Sequence, residues 1–166
     1  PVDFMLIASG KRLKSYAADL TNEIDVENIL LYDTSSNKTL KEDLTEINGR
    51  IDSFHDSRRV LLWGDVKLET AAYGGNVWTF VQTKQRSLLV CPDGGSFADI
   101  PAAWRKADIC LVSDPPEYIE FLNAGCTVIS SSDEKAPVIA QLLAPYQERL
   151  TAPAVNGDTL IQLYKP

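Results

Sequence analysis

The apolar residues of this chain fall into short runs bounded by turn-forming residues, and this pattern restricts the fold more than any other feature. Short apolar runs are typical of buried strands, whereas an amphipathic helix spaces its apolar residues three or four positions apart. Such runs occur at 4–7, 29–32, 109–112 and 127–129. The sequence therefore predicts a core built on strands rather than a helical bundle.

The stretch at 59–91 predicts an antiparallel meander of about three strands, because its alternating segments are separated by turn residues. Helical spacing occurs on both sides of it, and we predict helices at 11–22, 39–47, 117–123 and 136–146. The predicted fold class is therefore α/β in the mixed α+β sense, with helices packed on a mixed sheet. We expect the meander to share a core with the strand at 109–112, and Trp63 and Trp78 to be at least partly buried.

Polar or turn-forming segments divide these elements. The polar stretches at 33–38 and 52–58 are predicted to be loops and the only hinges of the chain. The chain is predicted to finish in a hairpin that turns at 156–158 and continues through 160–164.

The charge of the chain restricts its partners. Sixteen Lys and Arg residues against twenty-three Asp and Glu residues give a net charge of −7 and a pI near 4.7. This field repels a phosphate backbone, which argues against nucleic-acid binding over a broad surface. No apolar run approaches the ~18 residues of a membrane-spanning helix, so we expect no direct membrane insertion by this chain.

Residue counts also restrict the chemistry. The chain has one histidine, His55, so zinc sites built from several imidazoles are excluded. His55 lies in a polar stretch and is predicted to be a surface-loop residue. The three cysteines, Cys91, Cys110 and Cys126, form no CxxC pair and adjoin apolar runs, so they are predicted to be buried thiols.

Three segments carry a resemblance to a known family. The run D-F-M-L-I-A-S at 3–9, followed by a helical pattern and a second apolar run, resembles the start of metallo-β-lactamase-like domains. The run L-L-V-C-P-D at 88–93 is similar to that family's strand ending in Gly-Asp. The run A-D-I-C-L-V-S-D-P-P at 107–116 resembles a segment typical of the C-terminal domain of ComEC-type DNA-uptake (competence) channel proteins.

The resemblance implies a fold and a cellular context. It implies a layered αββα sandwich, whole or in part, that forms a single domain over 1–166 and belongs to a longer membrane protein. The expected localisation is that of a soluble domain of a membrane-anchored protein, on the outer face of a bacterial cell membrane.

The same resemblance implies a degenerate site. Ser9, Lys11, Leu13 and Lys14 stand where the family's first metal loop would be, and Ser113 and Asp114 stand where its later histidines would be. Asp93 alone keeps a metal-ligand residue type. We therefore expect no metal, no cofactor and no catalytic residue. The expected vestigial-site groove consists of Ser9, Lys11, Asp93, Ser113 and Asp114.

The sequence is compatible with two functions of different classes. The first is a non-catalytic scaffold or binding module, whose partners are other segments of the same membrane protein or a protein partner, with weak single-stranded DNA binding at best. The second is a free-standing α/β hydrolase-type enzyme that uses Asp93, Ser113 or Asp114, because loops at the carboxyl ends of strands commonly bind ligands. Asp and Ser beside Gly or Pro are also ordinary turn residues, so the sequence alone leaves both functions open.

Overall fold

Three parallel strands form a small sheet at the start of the chain. The computed structural model describes residues 2–8, 23–33, 38, 40–42, 44, 50–62, 64–113, 124–130, 133–144 and 150–156. Strands β1 (Met5–Ile7), β2 (Ile29–Tyr32) and β3 (Ile51–Phe54) lie in the order β1-β2-β3. All three strands therefore direct their carboxyl ends toward the same edge of the small sheet.

A large sheet contains the other seven described strands in the order β10-β9-β8-β7-β6-β5-β4. Its strands are β4 (Arg58–Leu62), β5 (Val66–Tyr73), β6 (Asn76–Gln82), β7 (Ser87–Val90), β8 (Ile109–Ser113), β9 (Cys126–Ser130) and β10 (Leu150–Thr151). Strands β4 to β7 are paired antiparallel, whereas β7 to β10 are paired parallel. This arrangement confirms a mixed sheet with a central meander, which has four strands rather than about three.

Helical structure in the described part of the chain is short. Helix α1 spans Ala136–Leu143 and helix α2 spans Pro153–Asn156, and single 3-10 turns occupy Phe97–Asp99, Trp104–Lys106 and Asp133–Lys135. The residues at 38, 40–42 and 44 are helical, as predicted for this region. The helices predicted at 11–22 and 117–123 lie outside the described residues.

Three clusters of buried side chains lie against the sheets. Because side chains alternate along a strand, Ile29 and Leu31 of β2 pack with the helical residues Leu40 and Leu44 in one cluster. A second cluster draws on both sheets and includes Leu30, Tyr32, Phe54, Leu68 and Val77. The third cluster covers the other face of the large sheet and includes Trp78, Phe80, Leu89, Cys110, Ile129 and Ile139. Both sheets therefore contribute to a shared apolar core, and Trp78 is fully buried, as predicted.

The prediction of a polar loop at 52–58 is wrong. Asp52 and Ser53 lie in β3, where they pair with Leu30 and Leu31 of β2, and only residues 55–57 connect β3 to β4. The stretch reads as a loop because its polar residues outnumber its apolar ones. Pairing with a buried neighbour and burial of Phe54 stabilise it as a strand.

The predicted terminal hairpin also needs correction. Asn156, expected at its turn, ends helix α2, and the short strand before it, β10, pairs parallel to β9. The remainder of the predicted hairpin, from 157 onward, lies outside the described residues, as does Trp63.

Candidate functional site

The two described members of the predicted groove lie at one edge of the large sheet. Ser113 is the last residue of β8, and Asp93 follows the neighbouring parallel strand β7. The Cys91 N–H donates to the Leu111 carbonyl oxygen at 2.8 Å, which extends the pairing one residue beyond β7. Both Asp93 and Ser113 are exposed. Ser9, Lys11 and Asp114 lie outside the described residues, so the rest of the predicted groove stays a prediction.

The tip of the β5–β6 hairpin reaches the same edge. Gly74 and Gly75 form the turn with φ of +58° and +84°, a left-handed conformation that glycine adopts without strain. Because β6 runs antiparallel to β7, its first residue, Asn76, lies where β7 ends. A Cβ at Gly94 would be 3.3 Å from Asn76 Oδ1, so the hairpin tip and the loop after β7 are in contact. We call Tyr73, Asn76, Asp93 and Ser113 the tip surface.

Trp78 lies beneath the loop at 92–96. Its side chain is fully buried, and the Tyr73 ring packs edge-on against it with centroids 6.2 Å apart. Gly95 has φ of +100°, and a Cβ there would overlap Cζ2 and Cη2 of Trp78. Glycine is therefore required at this position for two reasons, the backbone conformation and the close approach to the indole.

The Trp78 indole N–H has no hydrogen-bond acceptor among the described residues. A buried donor without an acceptor costs about 1–3 kcal/mol, so such a group calls for a physical explanation. A Cβ at Gly95 would lie nearest Cη2 and Cζ2, with Cζ3 next, so Gly95 approaches the benzene edge of the indole and not the N–H itself.

The segment after this loop is held by its own contacts. The Ser96 N–H donates to Asp99 Oδ2 at 2.9 Å and closes the first 3-10 turn. Arg105 Nε donates to the Ile100 carbonyl oxygen at 2.9 Å, and its guanidinium carbon lies 4.4 Å from the centroid of the Phe97 ring. These contacts hold the chain in place from Ser96 onward. The contact of Gly95 with Trp78 is made by the backbone of the loop.

A second polar cluster, not predicted from the sequence, lies at the carboxyl edge of the small sheet. Asp33 follows β2, His55 follows β3, and Lys41 comes from the helical residues between these strands. Lys41 Nζ donates to Asp33 Oδ2 at 2.9 Å, and His55 Nε2 lies 3.9 Å from the same oxygen. His55 is in a connecting turn and its side chain is 73% exposed, which agrees with the predicted surface position.

The geometry of His55 defines its tautomer. Nδ1 lies 2.9 Å from the backbone carbonyl oxygen of Asp33, and a carbonyl can only accept, so Nδ1 carries the proton. Among the described residues, the carboxylate nearest to Nε2 is that of Asp33, and the Lys41 ammonium group pairs with it. Its positive charge opposes a divalent cation there. The sequence signal for the position of Lys41 was the helix predicted at 39–47, which begins shortly after Asp33.

The donor set does not fit a hydrolytic metal centre of the family that the sequence resembles. Such a centre needs several neutral imidazoles together with carboxylates. Across the described residues, no group of three His, Cys, Asp or Glu side chains is placed to hold a metal ion. Asp93 and the chain's single imidazole lie at the edges of different sheets.

Two of the three cysteine thiols, Cys110 and Cys126, are poor nucleophiles. Cys91 and Cys110 are buried, as predicted, whereas Cys126 is partly exposed. Burial raises the pKa of Cys110 to about 12, and burial also raises the pKa of Cys126. A thiolate is the reactive form, so neither side chain is suited to nucleophilic catalysis.

Asp108 has a structural role at the opposite edge of the large sheet. The Ser87 hydroxyl and N–H both donate to Asp108 Oδ2 at 2.7 Å, and the Asp108 N–H donates to Ser87 Oγ at 3.1 Å. The bond from the Ser87 side chain is the main reason why the pKa of Asp108 is lowered. This reciprocal pair joins the starts of β7 and β8.

Comparison with solved structures finds several similar chains. One of them is described as a candidate Zn-dependent hydrolase of the metallo-β-lactamase superfamily from Thermotoga maritima, and it shares 15% sequence identity with this chain at a TM-score of 0.40. The similarity covers 64% of this chain, which spans 57% of that protein. No family model and no curated protein matches the chain. None of the helices in the described ranges combines the length and the apolar character needed to cross a membrane.

Proposed function

We propose that this chain is a metal-free, non-catalytic metallo-β-lactamase-like domain that acts as a scaffold or binding module. This domain would belong to a longer, membrane-anchored protein of the ComEC-type competence class. It would lie on the outer face of a bacterial cell membrane. The resemblance at 3–9, 88–93 and 107–116 supports this family, and it supports the DNA-uptake context as an expectation.

The environment of the only histidine carries the proposal. His55 is oriented by the Asp33 carbonyl, and the carboxylate beside it is paired with Lys41. A hydrolase of the resembled family activates water on ions held by several imidazoles, and one imidazole beside an ammonium group is unsuited to that chemistry. The same chain keeps an apolar core that includes both sheets, which is what a scaffold needs.

The proposed architecture is a single layered domain over 1–166. The cluster shared by β2, β3, β5 and β6 supports two sheets packed face to face. Leu40 and Leu44 support a helical layer on the small sheet, and Ile139 of α1 supports a second helical layer on the large sheet. The proposed arrangement would match the αββα order that the resemblance implies.

The proposed partner is a protein, either another segment of the same membrane protein or a separate chain. The net charge of −7 disfavours a nucleic acid, so single-stranded DNA would bind weakly at best and would dissociate as salt rises. The groove of Ser9, Lys11, Asp93, Ser113 and Asp114 would then be a recognition surface rather than a catalytic one.

Metal analysis and a nuclease assay test this function. Purified chain without a histidine tag should contain no stoichiometric zinc, manganese or iron, and its thermal midpoint should not respond to a chelator. DNA should remain intact with magnesium, manganese or zinc. Metal-dependent cleavage that is lost in Asp93→Ala but kept in the exposed control Asp56→Ala would overturn the proposal in favour of an enzyme.

A further inference from the structure

The outward face of helix α1 carries almost no polar side chain. Its inward residue Ile139 is buried in the third cluster against the large sheet, whereas Pro137, Val138 and Gln141 are exposed. Of these three exposed residues only Gln141 is polar, and the sequence has no charged residue from 136 to 147. A surface helix ordinarily places charged and polar residues on its outward face, and a helix that is apolar on both faces is typical of a buried one. Helix α1 therefore has the composition of a helix that is covered on both sides.

Exposed apolar side chains gather at this helix and at its neighbour α2, with which it is in contact. Val138 of α1 is 65% exposed, and Val155 of α2 is 38% exposed. They are two of the three large apolar side chains that are exposed in the part of the chain that the structure describes. Such a concentration marks a surface that another molecule covers. We call Pro137, Val138, Ala140 and Gln141, all of which are exposed, the helical surface.

The charge of the chain indicates which molecule this is. Two copies of a chain with a net charge of −7 repel each other wherever their charged faces meet. A closed dimer places the same residues of both copies against each other, so a charged residue near its axis would face its own like charge. The helical surface contains no charged residue, and two copies can therefore approach each other there at a low electrostatic cost.

The one polar side chain of the helical surface is complementary to its own copy. The carboxamide of Gln141 both donates and accepts hydrogen bonds, so two such groups at a two-fold axis can each donate to the other. A two-fold axis perpendicular to α1 also makes the two helices antiparallel. The positive amino end of each helix dipole then lies beside the negative carboxyl end of the other, which is a favourable arrangement.

We propose that the helical surface pairs with the same surface of a second copy of this chain. The two α1 helices cross in an antiparallel sense near Gln141, which meets its own copy at the axis. One face of an eight-residue helix is small beside the ~800 Å² that each partner buries in a standard interface. The dimer is therefore weak, with a dissociation constant of about 10–500 μM.

Sedimentation equilibrium of the full chain, from about 5 μM to about 1 mM, tests the pairing. The chain should show a monomer–dimer equilibrium. The dimer should become tighter as salt rises, because salt screens the repulsion between two acidic copies. An association driven by opposite charges would respond to salt in the reverse direction.

Charge substitutions at the axis locate the contact. Gln141→Glu and Gln141→Lys should each weaken the dimer about tenfold, because like charges then meet. An equimolar mixture of the two variants should associate at least as tightly as wild type, since unlike charges then meet. Gln82→Glu is the matched control, because Gln82 is exposed at the end of β6 and the variant adds the same charge on a different element. It should change the dissociation constant less than about twofold.

Four results would overturn the inference. These are a chain that is monomeric at 1 mM, a dimer that Gln141→Glu weakens no more than Gln82→Glu does, a mixture no tighter than either variant alone, and a dimer that weakens as salt rises. A monomer that binds phosphatidylcholine vesicles, and loses this binding in Val138→Asp, would identify a lipid surface as the occupant instead. Circular dichroism should show the wild-type fold in each variant, because the substituted residues are exposed.

The inference does not depend on the proposed function. Metal-dependent hydrolysis by a chain that dimerises in this way would refute the proposed function alone. A monomer that is free of metal and of nuclease activity would refute the dimer alone.

Discussion

Replacing Gly95 with alanine tests the close approach of the loop at 92–96 to Trp78. The new methyl group meets Cζ2 and Cη2 of the buried indole, and the backbone has φ of +100°. The left-handed conformation costs a residue with a Cβ about 1–2 kcal/mol. Forcing a methyl group into a packed site costs about 1–3 kcal/mol more. The free energy of unfolding should therefore fall by about 2–5 kcal/mol, the sum of these two costs.

Gly74→Ala is the matched control. Gly74 also has a left-handed backbone, with φ of +58°, but nothing lies within 4 Å of the position of its Cβ. This variant should lose only the backbone part, about 1–2 kcal/mol. For a domain of this size the expected decrease of the thermal midpoint is about 2–4 °C per kcal/mol, so the two variants should be clearly separated.

A double-mutant cycle isolates the contact. In a Trp78→Leu background the new methyl group no longer meets the indole ring. Gly95→Ala should then lower the free energy of unfolding about as much as Gly74→Ala does. The coupling free energy between positions 78 and 95 should therefore be about 1–3 kcal/mol. Urea unfolding followed by circular dichroism measures all four variants. The reasoning is refuted if Gly95→Ala destabilises no more than Gly74→Ala, or if its cost is unchanged in the Trp78→Leu background.

Three further predictions concern single side chains. Asp108→Asn should lower the free energy of unfolding by about 0.5–1.5 kcal/mol at pH 7, because it weakens the bonds from Ser87. The pKa of Asp108 is lowered from 3.8 on folding, so this stabilisation is present above that value and is lost as pH falls through the folded pKa. A difference from wild type that stays constant down to pH 2 would contradict it. Cys110 should resist iodoacetamide at pH 8 in the native state and should react in urea, and mass spectrometry can follow both reactions. Rapid labelling of Cys110 in the native state would show that this thiol is not buried. Arg105→Ala should lower the free energy of unfolding by about 1–2 kcal/mol, since two carbonyls lose a donor and the Phe97 ring loses its cation. A thermal midpoint equal to that of wild type would contradict the anchoring role of Arg105.

The sequence by itself determined most of the strands. The runs at 29–32 and 109–112 are apolar throughout, and the run at 127–129 is apolar after Thr127. Such runs are stable in water when they are buried against a core. The hairpin at Gly74 was equally predictable, because a two-residue turn of this kind requires a left-handed backbone. These features depend on local chemistry, so neighbouring residues are sufficient to identify them.

Strand β3 was decided by tertiary structure. The polar residues Asp52 and Ser53 have no local preference for a strand, and their hydrogen bonds come from β2. The parallel pairing of β10 with β9 is of the same kind, since a short segment pairs according to the neighbour that it meets.

The candidate site depends even more on tertiary structure. Asp93 and Ser113 could be predicted to share an edge, because each follows a buried strand, and the parallel pairing of β7 with β8 brings those strand ends together. Nothing near Trp78 in the sequence indicates that Gly95 would cover its ring, and nothing near Asp33 indicates that His55 would approach it. Such contacts join residues that are distant along the chain. Their existence depends on how the sheets pair and pack, which no local pattern of residues encodes.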